Sequence, residues 1–120
     1  TYLNIVRDFR DKSDWAIRVE SSLVQTDLEA FSVQDIMEKE KIKDIDIFKI
    51  DIEGSEKEIF NADTNIDFLN FVKCLAIEIH DEFECRDTIN EILISKGFIL
   101  STIGELTIAL NTNYLLTNKV

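Results

Sequence analysis

The 120-residue sequence contains no proline, three glycines, one histidine, one tryptophan and two cysteines. With glycine so scarce, Gly54, Gly97 and Gly104 each mark a backbone position with special φ/ψ needs. Cys74 and Cys85 are too few for a disulfide scaffold and too sparse for a zinc site, which fits a reduced, cytoplasmic protein. A single histidine removes any His-based zinc or zincin centre. No apolar run approaches the ~18–20 residues of a membrane span. The first residues, TYLNIVRDFRDK, carry neither a signal-peptide pattern nor a Met, as expected of a processed or excised end. Basic residues are also in deficit, 13 against 24 acidic, for a net charge of −11. That balance argues against nucleic acid, heparin-like partners and anionic membranes, all of which want a basic face.

What is present suffices for one packed domain over residues 1–120, since 45% of the chain is hydrophobic. The acidity is concentrated: residues 1–44 carry a net −3, residues 45–87 a net −8 and residues 88–120 a net of zero. The middle segment also holds the strongest patterns.

Residues 15–20 (W-A-I-R-V-E) alternate as a half-exposed strand should, and residues 28–31 (L-E-A-F) form a candidate hairpin partner, giving a hairpin over 15–31. Ser32-Val33-Gln34-Asp35 caps a short helix running to about Lys41. Residues 45–53 (I-D-I-F-K-I-D-I-E) read as a strand buried on both faces of a parallel sheet. Gly54 stops it, and Ser55-Glu56-Lys57-Glu58 has the S-x-x-E form of a capping box. A helical turn capped by Asn65 is expected at 66–71 and a second strand at 74–80 (C-L-A-I-E-I-H). A helix follows over 85–96, then strands at 98–103 and 107–116 joined by a turn at Gly104-Glu105. Residues 45–120 therefore form an α/β core with a parallel pair and an antiparallel C-terminal hairpin.

Ligands of such sheets bind beyond the carboxyl ends of the parallel strands. Alternation puts Lys49, Asp51 and Glu53 on one face of the first strand, and Cys74, Ala76, Glu78 and His80 on one face of the second. If the strands are neighbours, Asp51, Glu53 and His80 gather at one rim, with Lys49 and Glu78 a step inside. A buried Lys or Glu is costly unless paired, so Lys49 should neutralise Glu78 or serve Asp51. A plain salt-bridged strand end satisfies the same residues. Asp51, Glu53, Glu78 and His80 can also hold Mg²⁺ or Mn²⁺, but D-x-E spacing on a strand is too common to assign a metal.

The run I-D-I-F-K-I-D-I-E-G-S-E at 45–56, followed by a helix and I-E-I-H at 77–80, resembles the FkbM-type methyltransferases. That family carries a K-x-D-x-E-G-x-E strand and turn and then an E-x-H strand. Residues 28–43 resemble its approach segment and Lys96-Gly97-Phe98 a later G-(F/Y) step, so the resemblance covers about residues 28–104. It implies an S-adenosylmethionine-dependent enzyme, usually an O-methyltransferase on sugars, polyketides or other hydroxylated small molecules, with a doubly wound Rossmann-like sheet ordered 3-2-1-4-5-7-6. Asp51, Glu53 and His80 would then be catalytic, one of them the general base. Asp51 would also face the cofactor, and Lys49, Glu78, Gly54 and Glu56 would support them.

The family's D-x-G-x-x-x-G cofactor turn does not occur in the sequence. The chain thus looks like the C-terminal half of the domain, strands four to seven, inactive by itself and doubtful as a cofactor binder. Strand 45–52 would be an open apolar edge, able to pair with a second copy. Two other functions fit: a non-catalytic dimerisation module derived from such an enzyme, or a Mg²⁺/Mn²⁺-assisted hydrolase using Asp51, Glu53 and Glu78.

Overall fold

The computed structural model of the chain describes residues 2–6, 18–22, 28–61 and 63–117. Where one domain is expected, the chain divides into two compact units, Thr1–Glu40 and Lys41–Val120.

In the first unit, β1 (Tyr2–Val6) lies between β2 (Arg18–Ser22) and β3 (Leu28–Glu29), antiparallel to both. Tyr2, Ile5 and Val6 are strong strand formers, and β1 offers one hydrogen-bonding edge to each neighbour. This corrects the hairpin expected over 15–31: Val19 pairs with Ile5 and Leu28 with Leu3, rather than β2 with β3. Residues 15–17 of that expectation lie outside the described residues. Next comes α1 (Val33–Lys39), which starts as its sequence dictates. Asp35 N–H donates to Ser32 Oγ (3.0 Å) while Ser32 N–H donates to Asp35 Oδ2 (2.9 Å), a complete capping box. Hydrogen bonding to the carboxyl from the Ser32 hydroxyl, and then from the Ser32 backbone N–H, holds Asp35 below its ordinary range.

The second unit is a four-stranded sheet ordered β4 (Ile45–Ile50), β5 (Val72–Glu78), β7 (Leu106–Asn111), β6 (Phe98–Ile103). The β4–β5 pair is parallel and the other pairs are antiparallel. Between β4 and β5 run a one-turn helix, α2 (Glu56–Ile59), and a 3₁₀ turn at Asp67–Phe71. The latter is entered as expected, with Asp67 N–H donating to Asn65 Oδ1 (3.0 Å). From β5 the chain passes through a 3₁₀ turn at Asp81–Phe83 into α3 (Arg86–Ser95), which ends before Gly97 at φ +91°.

The core lies on the face of β5 that carries Leu75, Ile77 and Ile79, all buried, together with Ile89 and Leu93 of α3 and Phe98 of β6. Burying each such side chain is worth about 1.5–3 kcal/mol. Two expectations for this unit are corrected. First, β4 is not buried on both faces: Ile50 is buried, but Ile47 is 73% exposed and Lys49 is exposed. Among the described residues it pairs with β5 alone, at the open edge expected, and its apolar residues are covered unequally. Second, the last strand ends at Asn111 rather than continuing to 116, and α4 (Thr112–Thr117) follows. Asn111 is buried and donates from Nδ2 to Val72 O (2.9 Å), while its Oδ1 accepts from Asn113 N–H (3.1 Å). A side chain occupied with a strand start and a helix start ends the ladder there. Among the described residues no helix is long and apolar enough to cross a membrane.

Candidate functional site

Because β4 and β5 are parallel and Ile50 is in register with Ile77, both strands deliver their carboxyl ends to the same level. The segment leaving β4 is Asp51-Ile52-Glu53-Gly54 and the residues closing and leaving β5 are Glu78-Ile79-His80. The backbone turns sharply after β4, with Glu53 at φ +53° and Gly54 at φ +94°. A left-handed Glu costs on the order of 1–2 kcal/mol. Gly54 is required for a further reason: a Cβ there would overlap the Phe83 ring. The turn after β4 is therefore packed directly on the turn after β5.

Glu56 organises this junction. The expected S-x-x-E box does not form, since the Ser55 side chain makes no capping bond. Instead Glu56, fully buried, accepts at Oε1 from Ile52 N–H (3.3 Å) and Gly54 N–H (3.2 Å). The same oxygen lies 2.9 Å from His80 Nδ1. The other face of the ring points among acids: Nε2 is 3.6 Å from Glu53 Oε2 and 3.9 Å from Glu78 Oε1. Of the two pairings expected for Lys49, the one with Asp51 forms, at 3.4 Å. The Lys49 side chain is 62% exposed, so the cost expected of a buried Lys does not arise on this edge strand.

Asp51, Glu53 and His80 thus come together as expected. One ligand atom from each lies within 4.8 Å of the others, an arrangement able to gather a cation; Glu78 is outside that group. Asp51, Glu53, Glu56 and Glu78 lie around the imidazole, with Lys49 paired to Asp51, which suits a ligand that brings hydrogen-bond donors or positive charge.

Beyond Glu78 a cleft of about 350 Å³ opens between the end of β5 and the β6–β7 turn, bordered by Asp81, Arg86, Thr102 and Glu105. Arg86, which plays no part in the sequence reading, forms its wall. It donates from Nε and Nη2 to the two Asp81 oxygens (2.5 and 2.9 Å), from Nη2 to Ile79 O (3.2 Å) and from Nη1 to Thr107 Oγ1 (3.2 Å). The guanidinium holds the Asp81 carboxyl below the usual carboxylate range. The only sequence signal for this clamp is a D-x-x-x-x-R spacing, which is too general to read. Cys85 is buried; burial pushes its thiol up, and the Glu56 charge adds to the shift.

Compared with known proteins, residues 6–100 match the methyltransferase FkbM domain. No curated protein and no solved structure matches the chain.

Proposed function

Because the chain belongs to the FkbM methyltransferase family, we propose that it supplies the acceptor side of an S-adenosylmethionine-dependent O-methyltransferase acting on a hydroxylated small molecule or sugar. The observation that carries this reading is the convergence of Asp51, Glu53 and His80 at the shared carboxyl end of two parallel strands. Sheet order supports it too. The order β4-β5-β7-β6 is that of the last four strands in the 3-2-1-4-5-7-6 sheet the resemblance implies, which supports reading these residues as the C-terminal half of the domain.

The cofactor, when bound, supplies a methyl group on a sulfonium. The residues present fit its positive charge, since Asp51 and Glu53 offer carboxylates at the rim. They do not fit the rest of it: the sequence has no D-x-G-x-x-x-G turn to bring backbone N–H groups close to a cofactor. The reading leaves that turn to a segment outside these 120 residues, and the chain alone is inactive. What the chain itself contributes is a polar rim that orients an acceptor hydroxyl and takes up its proton.

Calorimetric titration with S-adenosylmethionine tests both levels. No binding is expected for the 120 residues, whereas a chain extended upstream to include a glycine turn should bind. Binding by the 120 residues alone overturns the half-domain reading. No binding by either overturns the methyltransferase reading.

A further inference from the structure

The Glu56 carboxylate fixes which nitrogen of His80 is free to react. Glu56 Oε1 already accepts the N–H groups of Ile52 and Gly54, so it serves as an acceptor. Its 2.9 Å contact with His80 Nδ1 is a hydrogen bond only if Nδ1 carries the proton. In the neutral ring, Nε2 is then the nitrogen with a lone pair. It faces Glu53 Oε2 and Glu78 Oε1, neither of which has a proton to give when ionised. The ring cannot turn over at low cost. Its side chain is 12% exposed, and a flip would leave a fully buried carboxylate without its side-chain donor.

We propose that Glu56 is a positioning residue that holds His80 in the Nδ1–H form, so that Nε2 is the general base of the site. The role of base rests on the methyltransferase reading; the tautomer does not. In the step itself the acceptor O–H bond breaks and an Nε2–H bond forms. The oxygen keeps the electron pair of that bond; with the donor bound, this pair would form the bond to the methyl carbon as the methyl–sulfur bond breaks and its pair returns to sulfur, leaving a neutral thioether. The carboxylates of Glu53 and Glu78 stabilise the imidazolium that results, and Glu56 does so from the opposite nitrogen. This narrows the choice left open among Asp51, Glu53 and His80. Asp51 is engaged by Lys49, and Glu53 and Glu78 act through their charge.

His80 is the only histidine, so ¹⁵N-labelled imidazole gives one unambiguous long-range ¹H–¹⁵N pattern. At alkaline pH the wild-type chain should show Nδ1 protonated and Nε2 with the signature of a bare ring nitrogen. Glu56→Gln should keep that pattern, because the amide oxygen still accepts from Ile52, Gly54 and Nδ1. Glu56→Ala should invert it, the proton moving to Nε2 as in a free histidine side chain. A proton on Nε2 in the wild-type chain overturns the proposal, as does an Nδ1–H form that survives Glu56→Ala. If Glu56→Ala does not fold, the wild-type and Glu56→Gln spectra still decide the tautomer. The experiment contains no cofactor, so a failure of S-adenosylmethionine binding and a failure of this tautomer are separate results.

Discussion

β4 and β5 carry the two halves of one site and look alike in sequence, both short, apolar and rich in β-branched residues, yet they sit in opposite environments. β5 has a neighbour on each side, and Val72, Leu75 and Ile77 are completely buried. β4 pairs with β5 alone among the described residues, and Ile47 is 73% exposed. The difference continues into the site. Glu56 is fully buried and His80, against it, is mostly buried, whereas Asp51 and Lys49 at the end of β4 are open to solvent. One strand leads into a mostly buried imidazole and the other presents exposed charge beside it.

The largest expected effect breaks that comparison at its strongest point. Leu75→Ala empties a fully buried position in the central strand and should cost about 2–5 kcal/mol. Ile47→Ala removes an exposed side chain from the edge strand and should stay within about 0.5 kcal/mol. Urea midpoints of the two variants measure the contrast directly. Equal losses would mean that β4 is buried in solution and is not an edge.

A smaller effect separates the turns. Gly54→Ala at φ +94° meets the Phe83 ring and should cost about 1–3 kcal/mol. Gly104→Ala, at φ +60° with open space around its Cβ, should cost only about 1 kcal/mol. The His80 imidazole resonances should shift in the first variant and remain in place in the second. Identical behaviour would show that packing of the β4 turn on the β5 turn does not hold the site.

Residue spacing already contained the two parallel strands and the C-terminal hairpin, though not all their ends, with the Ser32–Asp35 cap, the Asn65 turn and the meeting of Asp51, Glu53 and His80. Each of these depends on neighbours in sequence or on strand alternation. What could not be read depends on partners far along the chain. Alternation alone does not say which faces are covered, so β4 reads as buried on both, although the resemblance already implied its open edge. β1 was not anticipated as the partner of both β2 and β3, because pairing across distant segments leaves no local mark. Glu56 reads as part of a helix start, and only the arrival of His80 from 24 residues away turns it into the hub of the site. The end of β7 at Asn111 is of the same kind, since its reason is the carbonyl of Val72.

Those anchors extend the comparison to the other end of the sheet. The start of β5 is tied down by buried Asn111, whereas Asp44, just before β4, is held by Tyr114 Oη, which donates to Asp44 Oδ1 at 2.6 Å. The hydrogen bond to Asp44, with smaller contributions from burial and from the Asp44 charge, pushes the Tyr114 hydroxyl from 10.0 up to about 12. The folded state thus prefers the protonated phenol. Its contribution is complete below the unfolded value of about pH 10 and is lost as pH rises through about 12. In a Tyr2→Phe background, which leaves Tyr114 as the sole tyrosine, the near-ultraviolet tyrosinate absorbance should reach its midpoint near pH 12. Asp44→Ala should bring that midpoint back toward 10, while the Asn111 anchor of β5 keeps the rest of the sheet folded. A midpoint already near 10 with Asp44 in place would mean that the edge strand is not anchored through Tyr114. The asymmetry between β4 and β5 would then extend to both ends of the sheet.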